Sequence, residues 1–131
     1  MYNRIEILRR YIEDMYFDSK VEMKLRFCFI DHMSGVSQLC AMIALKRGED
    51  AELATMAGLL HDIYTFAYLD SEKHAKKGAV LAREILCELD LTTEEETNMI
   101  CSAISHHSKK KDSFSSFDEV LYIIRLLYRL V

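Results

Sequence analysis

Apolar residues recur at intervals of three and four along most of this chain, which is the period of an amphipathic helix. The periodic stretches predict about six helices, over residues 2–17, 21–47, 51–64, 71–89, 93–107 and 117–131. The second of these is expected to be broken near residues 29–31. Because the stretches between them are short, the pattern favours a compact all-α bundle.

Few residues mark the ends of these helices. Gly48 followed by Asp50 predicts a helix end and then a new N-cap. Thr92 with Glu95 fits a capping box at the start of the fifth helix. The polar, serine-rich residues 109–116 predict a loop before the last helix.

The composition agrees with a helical fold. The chain of 131 residues has no proline and four glycines, the two residues that most disfavour helix interiors. Half of the residues are hydrophobic, enough for a sizeable core. No linker or repeat divides the sequence, so residues 1–131 are predicted to form a single domain.

Charge and cysteine content argue against several functional classes. A formal net charge of −4 disfavours a double-stranded nucleic acid partner. The four cysteines, Cys28, Cys40, Cys87 and Cys101, show no C-x-x-C spacing, and we expect reduced core residues of a cytoplasmic protein. No apolar run is expected to reach the roughly 20 residues that span a bilayer, so no membrane partner is predicted.

The histidines carry the most information about function. Four of them fall on the predicted buried stripe of four different helices, within three or four positions of an apolar residue. These four are His32, His61, His74 and His107. All four are expected near helix ends, where a bundle opens to solvent.

These histidines suggest a metal site. A single buried histidine is usually a core residue bonded to a carbonyl, but four in one small domain, with the adjacent carboxylate of Asp62, favour a divalent metal. Neighbouring residues on a helix diverge by about 100°. His61 and Asp62 can therefore share an ion if the helix ends there. His106 lies one step off its stripe and is expected to face solvent or to serve the substrate.

Several segments resemble the HD superfamily, in particular its small bacterial single-domain members. They are the isolated His32, the run Leu59-Leu60-His61-Asp62, the H-A-x-x-G-A pattern of residues 74–79, and the A-I-x-x-H-S pattern that begins at Ala103. The similarity covers about residues 32–119. Four motifs in the expected order are far more specific than the His-Asp dipeptide alone.

The resemblance implies a metal-dependent phosphohydrolase that cleaves phosphate mono- or diesters, often of nucleotides, with metal-activated water. His32, His61 and Asp62 would be metal ligands, with His61 and Asp62 at the catalytic centre. His74 and His107 would match the additional ligands of dinuclear members, in which Asp62 would bridge. The cofactor would be one or two divalent ions, drawn from Mn, Fe, Mg, Zn and Ni.

The partner implied is a small-molecule phosphate ester. Cations beside the ligands are candidates for orienting its phosphate: Lys76 and Lys77 beside His74, and Lys109 beside His107. His106 is a further candidate for contact with the substrate. An ordinary solvated helix face or helix end also accounts for these lysines.

Two positions depart from the family pattern. Relatives complete the metal shell with an aspartate on the last helix, where this chain has Arg125. Arginine cannot ligate a metal, so Arg125 would contact phosphate instead. Asp118 lies two turns earlier, about 10 Å along the helix, and cannot replace the missing ligand. Thr65 stands where many relatives have a lysine.

Four functional hypotheses stay open at this stage. The first is a phosphohydrolase, and the second is a non-catalytic HD domain that binds metal or nucleotide or acts as an interaction module, which Arg125 favours. The third is a di-iron oxygenase with the same ligand set, and the fourth is a helical protein with buried histidines. The last helix is more apolar than one buried face requires, which favours either deep burial or a homodimer contact.

Overall fold

The structure is a computed structural model that describes residues 3–68, 73–107 and 114–129. The described residues form helices and connections, so the predicted all-α class is confirmed. The helices are α1 (Arg4–Phe17), α2 (Met23–Arg47), α3 (Ala51–Leu60), α4 (Ile63–Tyr68), α5 (His74–Leu89), α6 (Glu94–His106) and α7 (Ser116–Arg129).

α3 is the central helix of the bundle and packs against α1, α2, α6 and α7. Its residues 53–60 are all buried, and most of them are small or aliphatic. A helix that is apolar all round belongs inside a protein. The C-terminal end of α3 therefore delivers the next residue, His61, directly into the interior.

The predicted helix ends are partly confirmed. α2 ends at Gly48, whose φ of 74° is the left-handed conformation that glycine adopts without strain, and Asp50 caps α3 through the amide of Leu53. The predicted capping box of Thr92 and Glu95 is wrong by one residue. Thr93 and Glu96 form it, and the Thr92 hydroxyl lies 2.7 Å from that of Thr97.

Two other predicted boundaries differ from the structure. The break predicted near residues 29–31 is wrong, since α2 is continuous: Asp31 lies on its solvent side, while Phe29 and Ile30 pack against the core. The third predicted helix is instead divided into α3 and the short α4. The division falls at His61 and Asp62.

The expectation of four core cysteines is half wrong. All four are free, but Cys40 and Cys101 are buried whereas Cys28 and Cys87 are exposed. The apolar last helix buries one face, and it leaves Leu126, Leu127 and Tyr128 between 41% and 43% exposed. The homodimer contact stays a prediction.

The absence of a membrane partner also stays a prediction. The expectation that no apolar run reaches spanning length was too strong, because α2 contains an 18-residue window with a mean hydropathy of 1.3. By length and composition α2 is the candidate span among the described residues, but a core helix passes the same test. α2 packs against α3 and buries Val36, Cys40 and Ala44.

Arg4 joins three helices at the end of the bundle away from His61. Its guanidinium bonds Glu52 in the first turn of α3, Glu96 in the first turn of α6 at 2.9 Å, and the carbonyl of Leu91 at 3.3 Å. The side chain of Arg4 is 19% exposed. Solvent therefore screens these ion pairs only in part.

We expect Arg4→Ala to lower the free energy of unfolding by about 1–2 kcal/mol, since it removes charged hydrogen bonds between helices. Arg10→Ala is the matched control, because Arg10 is exposed on the same helix. Urea denaturation of the metal-free proteins measures both. Equal effects of the two substitutions would contradict the role assigned to Arg4.

Candidate metal centre

His61 and Asp62 occupy the two-residue break between α3 and α4. The Nδ1 of His61 donates to the carbonyl of Gly58 at 2.6 Å, and the ring is 6% exposed. This bond fixes the ring and leaves Nε2 directed at the other histidines. Because the helix ends at Leu60, His61 and Asp62 face the same point although they are adjacent in sequence.

His32 completes a first cluster from the middle of α2. Its Nε2 lies 3.2 Å from the Nε2 of His61 and 3.2 Å from Oδ2 of Asp62. The distance from the Nε2 of His61 to the same oxygen is 3.1 Å. Three potential ligand atoms thus form a nearly equilateral triangle. The expectation that all four histidines lie near helix ends is wrong for His32, since α2 is unbroken.

A second pair of imidazoles lies near Asp62. His74 is the first residue of α5 and His107 caps the end of α6, and their Nε2 atoms are 3.2 Å apart. The Nδ1 of His107 donates to the carbonyl of Ile104 at 2.5 Å, which orients this ring as Gly58 orients His61. Ligand atoms of His74, His107 and Asp62 lie within 4.8 Å of one another.

The spacing of these atoms fits divalent ions. Two ligand atoms about 2.1 Å from one ion, at about 90–109°, are separated by about 3.0–3.4 Å. The measured separations of 3.1–3.2 Å in the first cluster and 3.2 Å in the histidine pair fall in that range. Two imidazoles and a carboxylate are also a common ligand set for divalent transition metals. The residues present therefore fit one or two ions, with Asp62 common to both groups.

In the metal-free site, burial and the neighbouring charges shift the pKa values of these groups in different directions, and the pKa of His61 is raised by Asp62. Burial alone would raise the pKa of Asp62, but the charge of His61 and hydrogen bonds from His32 and His61 outweigh it and lower the pKa. Burial lowers the pKa of His107 to about 4, so its ring is neutral at pH 7. A neutral imidazole that donates through Nδ1 keeps the Nε2 lone pair for a cation.

These groups line a pocket of about 170 Å³. α7 contributes one face of the pocket with residues spaced as helix neighbours: Leu121, Ile124, Arg125 and Tyr128. The ring of Tyr128 meets that of His32 edge-on with centroids 4.9 Å apart. Since the side chain of His32 is 36% exposed and Tyr128 is 42% exposed, the mouth of the pocket lies on this side.

The structure thus brings together the five residues predicted as ligands, and Arg125 beside them. Lys76 and Lys77 are exposed on α5 outside the described lining, and the Nζ of Lys77 lies 5.2 Å from the centre of the Tyr64 ring. Lys109 lies outside the described residues. Substrate contacts by these lysines stay predictions.

His106 belongs to a separate polar cluster. Its Nδ1 lies 2.9 Å from Oδ2 of Asp118, which is 4% exposed and also accepts from the hydroxyl of Ser102 at 3.0 Å. The ring is stacked on Phe114 and is not part of the described pocket lining. The expectation that His106 faces solvent therefore misses its contact with Asp118. Any role toward the substrate stays a prediction.

Sequence reasoning missed one residue of the pocket, Tyr128, and one polar contact outside the pocket, between Asp118 and His106. Tyr128 lies three residues after Arg125, so extending the helical spacing from Arg125 would have found it. The sequence places Asp118 too far along the helix to be a ligand and does not predict its contact with His106. The structure shows it buried and bonded to His106, away from the pocket.

One comparison with known proteins, against protein families, gives a match. The model of the HD domain family matches residues 29–127, which include both ligand groups and Arg125. The chain belongs to the HD domain family, whose members are generally metal-dependent hydrolases that bind divalent ions. No curated protein and no solved structure gives a significant match.

Proposed function

We propose that the chain is a metal-dependent phosphohydrolase that uses water to cleave a phosphate mono- or diester. One observation carries this proposal: four imidazoles from separate elements converge on the carboxylate of Asp62, with Nε2 separations of 3.2 Å in each pair. Membership of the HD domain family adds to it. A nucleotide-like small molecule is the substrate we propose.

The ligand groups would divide between two ions. His32 and His61 would hold one ion, His74 and His107 the other, and Asp62 would contribute to both. When bound, such ions lower the pKa of water toward neutrality and stabilise charge on phosphoryl oxygens.

The chain itself keeps the imidazoles in place. The carbonyls of Gly58 and Ile104 fix two of the rings, so that little reorganisation is needed when a ligand binds. Leu121 and Ile124 form an apolar wall that limits the water beside the ligand atoms.

We expect the protein purified without chelator, or loaded with Mn²⁺, to contain one or two ions per chain and to hydrolyse members of a panel of phosphomonoesters and diesters. Chelation should remove the activity, and added Mn²⁺ should restore it, because the ligands are organised before the metal binds. Elemental analysis and phosphate release measure the two properties. A fully loaded protein with no turnover of any phosphoester would contradict the proposal.

Arg125 favours a second candidate, a non-catalytic HD domain that binds metal or nucleotide. The described part of α7 places this cation in the pocket and no carboxylate beside it. Metal and phosphate binding without turnover would support this candidate. A pair of iron ions with oxygen-dependent turnover would instead support a di-iron oxygenase, for which the shared position of Asp62 is also suitable.

A further inference from the structure

Arg125 is the one permanently charged cation among the described residues that line the pocket, and Asp62 is the one carboxylate. The other polar lining groups are four imidazoles and the phenol of Tyr128. A guanidinium stays protonated under all ordinary conditions and cannot bind a metal. Its presence beside a cation-binding cluster therefore needs a physical reason other than ligation.

The position of Arg125 on α7 places it between the core and the mouth of the pocket. Leu121, one turn before it, and the adjacent Ile124 are each 2% exposed. Tyr128, three residues after it, lies at the exposed mouth against His32. Arg125 itself is of intermediate exposure. A long side chain in this place can keep its stem on apolar surface and its charged end beside an incoming ligand.

Arg125 differs from the arginines that stabilise the fold. Arg4 is held by Glu52 and Glu96, and Arg47 is held by Glu119. Within residues 3–68, 73–107 and 114–129, no hydrogen bond or ion pair engages the guanidinium of Arg125. Its five N–H donors are therefore available to a ligand in the pocket.

Charge balance indicates which ligand. With Asp62 and Arg125, one divalent ion would leave the site at a net charge of about +2, and two ions at about +4. A phosphomonoester carries about −1.5 to −2 charges at pH 7, whereas a diester carries about −1. The monoester also presents terminal oxygens that a guanidinium can bind through two parallel hydrogen bonds. A carboxylate in place of Arg125 would oppose this dianion.

The size of the pocket agrees with recognition of a terminal phosphate. Its volume of about 170 Å³ is below the roughly 300–1,000 Å³ of sites that enclose a drug-sized ligand. A phosphoryl group fits, and the remainder of the substrate would extend past His32 and Tyr128 at the mouth.

We infer that Arg125 is a specificity-determining residue that binds the terminal oxygens of a dianionic phosphomonoester, so that the site prefers monoesters to diesters. This inference rests on the proposed function and names its substrate class. A carboxylate at this position would attract the metal ion, whereas Arg125 attracts the phosphate of the substrate.

Binding of inorganic phosphate, measured by calorimetry with and without Mn²⁺, tests the inference directly. We expect Arg125→Ala to weaken phosphate binding to the Mn²⁺-loaded protein by about tenfold or more, since a charge-assisted hydrogen bond is lost. Arg125→Lys should recover part of the affinity, because it keeps the charge and loses the paired donors. Arg10→Ala, on an exposed position, is the control.

Two further measurements separate this role from a structural one. The Mn²⁺ affinity of Arg125→Ala should stay within about threefold of wild type, and the ratio of kcat/KM for an aryl monoester over the diaryl diester should fall by about tenfold. Arg125→Lys serves both measurements if the alanine variant does not fold. Unchanged phosphate affinity, or a loss of Mn²⁺ equal to the loss of phosphate, would overturn the inference.

The results also distinguish this inference from the proposed function. Phosphate binding that depends on Arg125 without any hydrolysis would support the inference and contradict the phosphohydrolase. Hydrolysis without a preference for monoesters that depends on Arg125 would support the phosphohydrolase and contradict the inference. If the wild type takes up no Mn²⁺, the phosphate titration of the metal-free protein tests the inference. Equal phosphate affinities of the wild type and Arg125→Ala in that titration would overturn it.

Discussion

Replacing Asp62 with asparagine is expected to abolish phosphoester hydrolysis and to leave the protein without stable metal binding in either half of the site. Asp62 is the residue common to both potential ligand groups, and its Oδ2 lies 3.1–3.2 Å from the Nε2 atoms of His61 and His32. Asparagine keeps the shape of this side chain and removes its negative charge. The substitution therefore tests the charge more than the packing.

The expected loss is large because in the proposed site one carboxylate would serve two ions. Removal of a group that merely supports a ligand costs about 10–100-fold in metal affinity or activity. Loss of a shared ligand should exceed this range, and we expect kcat/KM to fall by about 1,000-fold or more, which corresponds to about 4 kcal/mol at the transition state. Elemental analysis after gel filtration, and titration with Mn²⁺, measure the binding.

Asp31→Asn provides the matched control for Asp62→Asn. Asp31 precedes His32 on α2 and is exposed, so this substitution also removes one carboxylate near the site without removing a ligand. We expect full metal content and wild-type turnover. Urea denaturation in excess chelator checks that Asp62→Asn is folded. A folded Asp62→Asn protein with full metal content would show that the metal binds elsewhere.

The converging histidines could be predicted from the sequence because helical spacing is a local property. Positions three and four residues apart share a face whatever surrounds the helix, so the stripes that include His32, His61, His74 and His107 were identifiable without coordinates. The condition that the helix must end for His61 and Asp62 to share an ion was also evident. The structure meets this condition with the break after Leu60.

Other features depend on how helices cross, which periodicity does not describe. The bond between His106 and Asp118 joins α6 to α7, and neither helix alone reveals that the two residues meet. The same holds for the contact between Tyr128 and His32, which joins α7 to α2. The continuity of α2 was missed for a related reason: whether Asp31 breaks the helix depends on whether it faces solvent.

α3 approaches α2 closely at Gly58. A Cβ atom added at Gly58 would lie 2.8 Å from the Cα of Ser37 and 3.0 Å from the Sγ of Cys40. The first of these atoms is backbone and cannot move unless α2 moves. The carbonyl of Gly58 also accepts the Nδ1 proton of His61, so this crossing supports the ligand cluster directly.

We therefore expect Gly58→Ala to lower the free energy of unfolding by about 2–4 kcal/mol, although alanine is favoured over glycine within a helix by about 1 kcal/mol. The displacement of α2 should also carry His32 away from His61 and weaken Mn²⁺ binding. Urea denaturation of the metal-free protein, followed by Mn²⁺ titration of the folded variant, measures both effects.

Gly78→Ala is the matched control for Gly58→Ala. Gly78 is buried within α5, but its added Cβ would meet the carbonyl of His61, Ile104 and Tyr64 at 3.7 Å, an ordinary contact distance. The helix preference for alanine then acts without a clash, so we expect a change between zero and about 1 kcal/mol of added stability. If the two alanine variants were destabilised equally, helix propensity and general burial would explain the result, and the close crossing of α2 and α3 would have no special role in holding the imidazoles together.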